Sequence, residues 1–342
     1  MDFQIALLLA QDGVVNGAVY ALLALALVLV FSVTRVIFVP QGEFVAFGAL
    51  SMAAIAGGRT PGTLWLLLVL AALAIVVEAW RARRGLAVDW RSTLVWAVAF
   101  PALAALLALV VKPTAQWAQA LTTLVLITPL GPLLYRIAFR PLADATVLSL
   151  LIVAVAMHGV LVGLGLYFFG AEGSRTASFS DSRLDVSGIV VTGQSLVVVG
   201  TTLVLSALLF AFFERTIVGK ALRATAINRV GARLMGIPTA LAGDLSFALA
   251  AMIGAVSGLL IAPITTVYYD TGFLMGLKGF VAAIIGGLAS YPIAMAGAVL
   301  VGLLESFSAF WASALKEVIV FTLIIPVLLW RSLKSRHVEE DE

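Results

Sequence analysis

Residues 14–34 read VVNGAVYALLALALVLVFSVT and contain no charged side chain. A helix needs about 20 mostly apolar residues to cross the hydrocarbon of a bilayer, and this run is long enough. Similar runs predict about eleven membrane-spanning helices, near residues 14–34, 41–57, 62–80, 93–111, 117–138, 146–169, 194–213, 240–262, 273–290, 293–312 and 315–332. The segments at 41–57 and 273–290 could be broken or re-entrant, which lipid tolerates only where protein or a cavity covers the backbone.

The composition favours the same fold class. Hydrophobic residues make up 62% of the 342 residues and charged residues only 11%, whereas soluble domains are about 45–50% apolar. The mean hydropathy is +1.13. We therefore expect an all-α polytopic transmembrane helical bundle, with one membrane domain covering residues 1–342. The start, MDFQIALLLA, lacks the positive region of a cleavable signal, so the whole chain is expected to be mature.

Several functional classes are disfavoured. The net charge of +3 is too small to suggest a nucleic-acid partner, and the absence of cysteine excludes disulfides, thiol catalysis and cysteine-ligated metals. The two histidines, His158 in an apolar run and His337 in the charged tail, do not form a paired metal site. His158 is interpreted as a hydrogen-bonded interior residue, with a metal ligand or proton relay as the alternative. No catalytic residue or metal site is predicted.

Small residues four positions apart recur within the predicted spans, as in Gly159 with Gly163, Gly254 with Gly258, Gly272 with Gly276, and Ala298 with Gly302. Such pairs let helix backbones approach closely in lipid. They predict helices packed within one subunit rather than independent anchors.

The distribution of lysine and arginine predicts the orientation, because short cytoplasmic loops are enriched in these residues. With the N-terminus outside and the C-terminus in the cytoplasm, the inside set is Arg35, Arg81, Arg83, Arg84, Arg91, Arg136, Arg140, Arg215, Lys220, Arg223, Arg229, Arg233, Arg331, Lys334 and Arg336. The outside set is only Arg59, Lys112, Arg175, Arg183 and Lys316. The counts therefore favour the topology with the N-terminus outside over the inverted one.

Two connections are long. The outside loop at 170–193 is rich in Gly, Ser and Asp, and its IVV followed by TG could supply a short strand. It is either a solvated connector or a docking surface for an external protein. The inside loop at 214–239 reads ERTIVGKALRATAINRVGARLMGIPT, which is too polar to span the bilayer.

The inside loop has a helical pattern. Ile227, Val230 and Leu234 fall on one helix face, while Arg229 and Arg233 lie four residues apart on another. A glycine at 236, two residues before a proline, is typical of a helix end. The pattern predicts a short amphipathic helix, which either rests on anionic headgroups or docks into a soluble motor subunit.

At this loop the chain resembles the branched-chain amino acid permeases of ABC importers. The stretch RATAINRVGARLMGIP is similar to their cytoplasmic coupling helix, with an Arg-Ala-x-Ala start and a Gly-Ile end. The resemblance implies that the residues coupling the chain to the ATPase are Arg223, Ala224, Ala226, Arg229, Ala232, Arg233, Gly236 and Ile237.

Other segments resemble the same family in matching order. They are Asn16 to Phe44, the YRIAFRPL turn at 135–142 and the glycine-rich stretch at 272–306. The chain departs from the family at Pro40 and Gln41, where alanine and histidine are usual. The stretch at about 81–115 is interpreted as an extra loop and span that a typical member lacks.

The resemblance implies a permease that works with partners. These are a second permease subunit, identical or different, two cytoplasmic ABC ATPases, and a periplasmic substrate-binding protein. The chain has no Gly-x-x-x-x-Gly-Lys-Ser/Thr loop. It is therefore expected to be a transport subunit rather than an enzyme, with no cofactor of its own and ATP used by the partners. The implied location is the bacterial inner membrane.

Charged groups at bilayer depth usually face the bundle interior or water. Candidates are Glu43, Lys278, Glu305 and Asp244. Some of these charges, taken together with residues from the segments that resemble the family, give the predicted translocation pathway. It comprises Gln41, Gly42, Glu43, Lys278, Gly286, Gly287 and Glu305. The alternative is that the charges form internal pairs that orient helices, or that they snorkel to an interface.

Two other functional readings remain open. The substrate is expected to be a branched-chain or related amino acid, with urea or short amides as alternatives, because similar permeases serve them. A different class, an ion-coupled secondary transporter, would use membrane carboxylates such as Glu43 or Glu305 and broken helices.

Overall fold

The computed structural model describes residues 3–86, 88–143, 145–186 and 189–334. Its helices are α1 Phe3–Thr34, α2 Gln41–Ala56, α3 Thr63–Arg83, α4 Trp90–Val111, α5 Gln116–Leu142, α6 Val147–Phe169, α7 Gly193–Arg215, α8 Ile217–Ile227, α9 Arg229–Leu234, α10 Thr239–Ile261, α11 Thr271–Ile285, α12 Tyr291–Trp311 and α13 Ser313–Trp330. The two strands are β1 Arg183–Val186 and β2 Ile189–Thr192, which pair antiparallel. The all-α polytopic bundle predicted from the sequence is confirmed.

Every predicted apolar segment forms a helix, but the helices are not equally long. In the described ranges, nine helices are long and apolar enough to cross a bilayer. The two others, α2 with 16 residues and α11 with 15, extend about 24 Å at 1.5 Å per residue. Both are shorter than the hydrocarbon core, so eleven full crossings are not established. They are the two segments for which the sequence suggested broken or re-entrant helices.

Helices α4 and α5 are irregular. In α4, π-helical turns at Val95–Ala99 and Leu106–Val111 flank a segment that contains Pro101. Helix α5 has a break after Ile127 and a π turn at Tyr135–Phe139. Proline lacks a backbone N–H, and its ring clashes with a carbonyl of the preceding turn. Irregular helical turns therefore occur near it.

Helix α1 lies at the centre of the bundle and is the most buried of the spans in the described part of the chain. It packs along α12 and also contacts α7, α10 and α11. A Cβ atom on Gly17 would lie 2.8 Å from the Cα of Val299, so only glycine allows this approach. Close backbone contact replaces the hydrophobic effect as the source of association in lipid.

Some of the predicted small-residue pairs lie against another helix, and one pair does not. Gly254 and Gly258 on α10 lie against α2, and Gly272 and Gly276 on α11 lie against Gly42. The expectation was wrong for Gly159 and Gly163 on α6, because a Cβ at either position meets open space. Spacing alone cannot tell which face of a helix meets another helix.

The long loops lie at opposite ends of the bundle, because α7 runs from one to the other. The loop at 170–193 contains the β1–β2 hairpin, which confirms the strand expected at IVVT, and Ser174 pairs with Val267 after α10. Helices α8 and α9 lie at the other end. Of the basic residues used for the orientation, Arg336 lies outside the described residues.

Candidate functional site

A cavity of about 1400 Å³ extends inward from the end that bears the 170–193 loop. The first half of α1, the first half of α11, the end of α12 and part of α6 form its walls. Its charged and titratable lining residues are Asp12, Tyr20, His158, Arg175, Asp181, Arg183, Asp270, Lys278, Glu305 and Lys316. A polar cavity of this size between apolar helices can hold water and a small polar solute.

A cluster of charges lies at the wall formed by α11 and α12. The Lys278 ammonium donates to Glu305 Oε1 at 2.5 Å and to Glu317 Oε1 at 3.2 Å. The Tyr20 hydroxyl donates to Glu305 Oε2 at 2.5 Å. Lys278 and Glu305 are therefore an internal ion pair that ties α11 to α12, and both also line the cavity. The internal pair expected from the sequence is present, and the role of these residues in a translocation pathway stays a prediction.

Glu43 belongs to a second buried pair. Its side chain is fully buried, and its Oε1 lies 2.9 Å from Nδ1 of His158. The His158 ring stacks on Phe273 and faces the cavity. His158 is thus a hydrogen-bonded interior residue, while Glu43 lies behind it. Through the His158 ring, the cavity wall is linked to a carboxylate that does not itself line the cavity.

The other predicted pathway residues lie in different places. Gln41 is buried and donates to the Ala250 carbonyl oxygen at 2.9 Å, which ties α2 to α10. Gly42 lies against Gly272 at the crossing of α2 and α11. Gly286 and Gly287 form the turn between α11 and α12 and are not part of the cavity lining. The structure thus brings Lys278 and Glu305 together at the cavity, with Gln41, Gly42 and Glu43 behind the wall.

The loop at 214–239 forms two helices instead of the single one predicted. Helix α8 ends at Ile227, and Asn228 adopts an extended conformation while its Oδ1 accepts from the Gly231 amide at 2.8 Å. Asparagine is a favoured N-cap, which explains the new start at α9. The predicted helix end at Gly236 is confirmed, since this residue has φ +80° and the Ile237 amide donates to the Ala232 carbonyl.

The apolar side chains on one side of α9 point away from the bundle, whereas Leu222 on α8 is buried. Ile227 is 79% exposed and Leu234 is 82% exposed, and Val230 lies between them on the same surface. Ala232 on the opposite side of α9 is buried, and Ala226 packs against the ends of α1 and α7. We call the surface formed by Ile227, Val230, Leu234 and Met235 the apolar loop face.

The predicted coupling arginines are not equivalent. Arg223 is half exposed and pairs with Glu214 at 2.8 Å. Arg229 instead turns inward and donates to the Ala143 carbonyl oxygen at 2.9 Å, which ties α9 to the end of α5. Arg233 is exposed. Of the remaining positions, Ala224 and Ile237 are partly buried.

Two arginines of the predicted inside set, Arg136 and Arg140, lie within α5. Arg136 was assigned to an inside loop, but α5 continues to Leu142 and leaves Arg136 only 1% exposed. Its guanidinium forms a buried pair with Asp244 on α10, 108 residues away. Likewise, Arg140 pairs with Glu78 of α3 at 2.6 Å. A hint was available in Asp244 itself, since a carboxylate within an apolar helix needs a partner.

Comparisons with known proteins agree on one family. The family model described as branched-chain amino acid transport system / permease component matches residues 92–328, more than half of the chain. The high-affinity branched-chain amino acid transport system permease protein LivH of Escherichia coli (strain K12) is 33% identical over 205 residues. The corresponding protein BraD of Pseudomonas aeruginosa is 28% identical over 236 residues, covering 67% of this chain and 77% of BraD.

The alignment with LivH covers 57% of this chain and 65% of LivH, so the chain spans slightly less than two thirds of that relative. Among solved structures, PsaBC from Streptococcus pneumoniae in complex with Fab covers 93% of this chain and 89% of its own. Its TM-score of 0.37 and 13% identity are too low to carry an argument.

Proposed function

Because this chain belongs to the family of branched-chain amino acid transport permease components, we propose that it is the membrane-spanning permease subunit of an ATP-driven importer. The chain would supply the path through the membrane, and separate ATPase subunits would supply the energy. ATP would be bound and hydrolysed only by those partners.

The apolar loop face carries this proposal. Four large apolar side chains, Ile227, Val230, Leu234 and Met235, are exposed on a loop whose exposed charged residues include Arg223 and Arg233. Exposed apolar groups rimmed by charge are typical of a protein interaction site. A soluble ATPase that covered this face would bury it and hold α9, which leads directly into α10.

The cavity supports a polar substrate of modest size. It opens at the end of the bundle opposite the apolar loop face, and both signs of charge line it, for example Lys278 and Glu305. A free amino acid carries both signs as well. We propose a branched-chain or related amino acid as the substrate; urea and short amides are alternatives that uptake measurements would separate.

We propose further partners at the two ends of the bundle. An external substrate-binding protein would dock on the loop at 170–193, beside the cavity mouth, and two permease subunits would each receive one ATPase. The expected location is the inner membrane of a bacterium, with the apolar loop face in the cytoplasm. Closure of the ATPases would switch the bundle between outward and inward access, a two-state change biased by nucleotide.

The test is a charge substitution on the apolar loop face. Val230→Asp with Leu234→Asp should abolish co-purification with the ATPase subunits and ATP-dependent uptake of radiolabelled leucine into proteoliposomes. The control is Leu86→Asp, which introduces the same charged side chain once, at an exposed leucine in the α3–α4 turn at the same end of the bundle. ATPase binding that survives the double substitution would contradict the proposal, as would uptake driven by an ion gradient without ATPases.

A further inference from the structure

The guanidinium of Arg136 is held by two helices at once. Its Nε donates to Asp244 Oδ1 at 3.0 Å and its Nη2 donates to Asp244 Oδ2 at 2.5 Å, a bidentate pair that joins α5 to α10. Its Nη1 donates to Thr93 Oγ1 at 2.8 Å, and Nη2 also donates to Ser92 Oγ at 2.5 Å. Both hydroxyls belong to the first turn of α4.

The two hydroxyls complete the coordination of this buried cation. A buried guanidinium whose donors lack partners costs free energy, so each partner matters more here than at the surface. Thr93 is buried and Ser92 half-buried. Ser92 Oγ also lies 3.5 Å from Asp244 Oδ2. Helix α4 thus fixes the direction in which Arg136 points toward α10.

Asp244 lies close to α9, the helix that a bound ATPase would displace. It belongs to the second turn of α10, which starts at Thr239 directly after α9 and the turn at Gly236. Close to this pair, the Tyr135 ring fills the space where a side chain on Gly243 would be. Helix α9 is itself tied to the end of α5 through Arg229 and Ala143. A displacement of α9 therefore acts on α10 one and a half turns before the Arg136–Asp244 pair.

We propose that Ser92 and Thr93 are positioning residues for energy coupling: they hold Arg136 on Asp244, so that α4 clamps the start of α10 when α9 is displaced. The role of this clamp in energy coupling rests on the proposed importer function. The hydrogen-bonded arrangement around Arg136 does not depend on that function. Without the hydroxyls, Arg136 can turn away from Asp244, and part of the movement of α9 is lost in local rearrangement of α10.

The test removes the hydroxyls and keeps the size of the side chains. The variant is Ser92→Ala with Thr93→Val, and the matched control is Ser257→Ala with Thr122→Val. The control hydroxyls are also buried, but they donate to carbonyls of their own helices, α10 and α5. A third variant, Ser92→Thr with Thr93→Ser, retains both hydroxyls and should behave as wild type.

The first measurement is independent of transport. Because the chain has no cysteine, spin labels can be attached at Val98→Cys on α4 and Met235→Cys beside α9, both exposed positions. In nanodiscs, the distance distribution should broaden in the hydroxyl-free variant and stay narrow in the control and the swapped variant. A distribution that is unchanged, or equally broad in the control, would overturn the clamp.

The second measurement tests the coupling role. With the ATPases bound, hydrolysis stimulated by the external binding protein should fall by about threefold or more in the hydroxyl-free variant, as expected when hydrogen bonds to a buried charge are lost. Unchanged stimulation alongside a broader distribution would overturn the coupling role. A wild-type chain that binds no ATPase contradicts the proposed function instead, and the distance measurement still decides whether α4 clamps α10.

Discussion

Gly42, the second residue of α2, lies directly against Gly272, the second residue of α11. A Cβ atom on either glycine would collide with the backbone carbonyl of the other. The two short helices therefore touch at their N-terminal ends, backbone to backbone. This contact holds together the only two apolar helices of the described ranges that are too short to cross the membrane.

Substitution of Gly42 by alanine should force α2 and α11 apart. Overpacking at a rigid contact costs about 1–3 kcal/mol in the free energy of unfolding, so the melting temperature of the purified protein should fall. Gly159→Ala is the control, because a Cβ there meets open space and alanine favours the helix. Equal melting temperatures for Gly42→Ala and wild type would show that the helices separate without cost.

Substitution of Lys278 by methionine should leave Glu305 and Glu317 without their shared cation. Removal of one partner from a buried ion pair costs about 3–5 kcal/mol, so both the thermal stability and leucine uptake should fall. Adding Glu305→Gln should restore part of the stability, because the unpaired carboxylate is removed. Lys316→Met, at another lysine of the cavity wall, should be milder. A Lys278→Met protein that melts and transports like wild type would remove this cluster from the pathway.

His158→Leu and His158→Gln should differ. Glutamine can still form a hydrogen bond with the buried Glu43, whereas leucine leaves that carboxyl group without the ring nitrogen that lies 2.9 Å away. An unsatisfied buried polar group costs about 1–3 kcal/mol, and more when it is charged. The leucine variant should therefore melt at a lower temperature than the glutamine variant. Met157→Leu is the control on the same helix, and equal melting of the two His158 variants would mean that the pair contributes nothing.

The orientation can be tested with single cysteines in this cysteine-free chain. Leu184 on β1 and Leu86 after α3 are both about half exposed, at opposite ends of the bundle. With the N-terminus outside, a membrane-impermeant maleimide should label Leu184→Cys in intact cells and label Leu86→Cys only after permeabilisation. The reverse pattern would invert the predicted topology and put the apolar loop face outside the cell.

Features set by local pattern were predictable from the sequence. The bilayer sets the length of a span, so the apolar runs coincide with the helices. The short segments at α2 and α11 were already singled out as candidates for broken or re-entrant helices. The end of α9 was predictable because Gly236 provides the left-handed turn and Pro238 follows it. The break at Asn228 carried a local signal too, since asparagine is a strong N-cap.

Features set by distant partners were not predictable. Nothing near Arg136 in the sequence indicates that Asp244 lies beside it, and a run of mostly apolar residues before Arg136 reads equally well as the end of a span. Glu317 was not considered as a partner of Lys278, because the two are 39 residues apart on different helices. Gly159 and Gly163 have the spacing of a packing motif, but among the described residues no atom lies within 4 Å of a Cβ built at either position.

The extended residue at Asn228 has a mechanical consequence. Helix α8 packs on α1, α7 and α10, whereas the six residues of α9 are joined to the bundle through Asn228, the Arg229–Ala143 bond, the buried Ala232 and the turn at Gly236. A rigid rod from Ile217 to Leu234 would spread a load over all its neighbours. Because the chain is extended at Asn228, a displacement of α9 would act on α10 without requiring α8 to move.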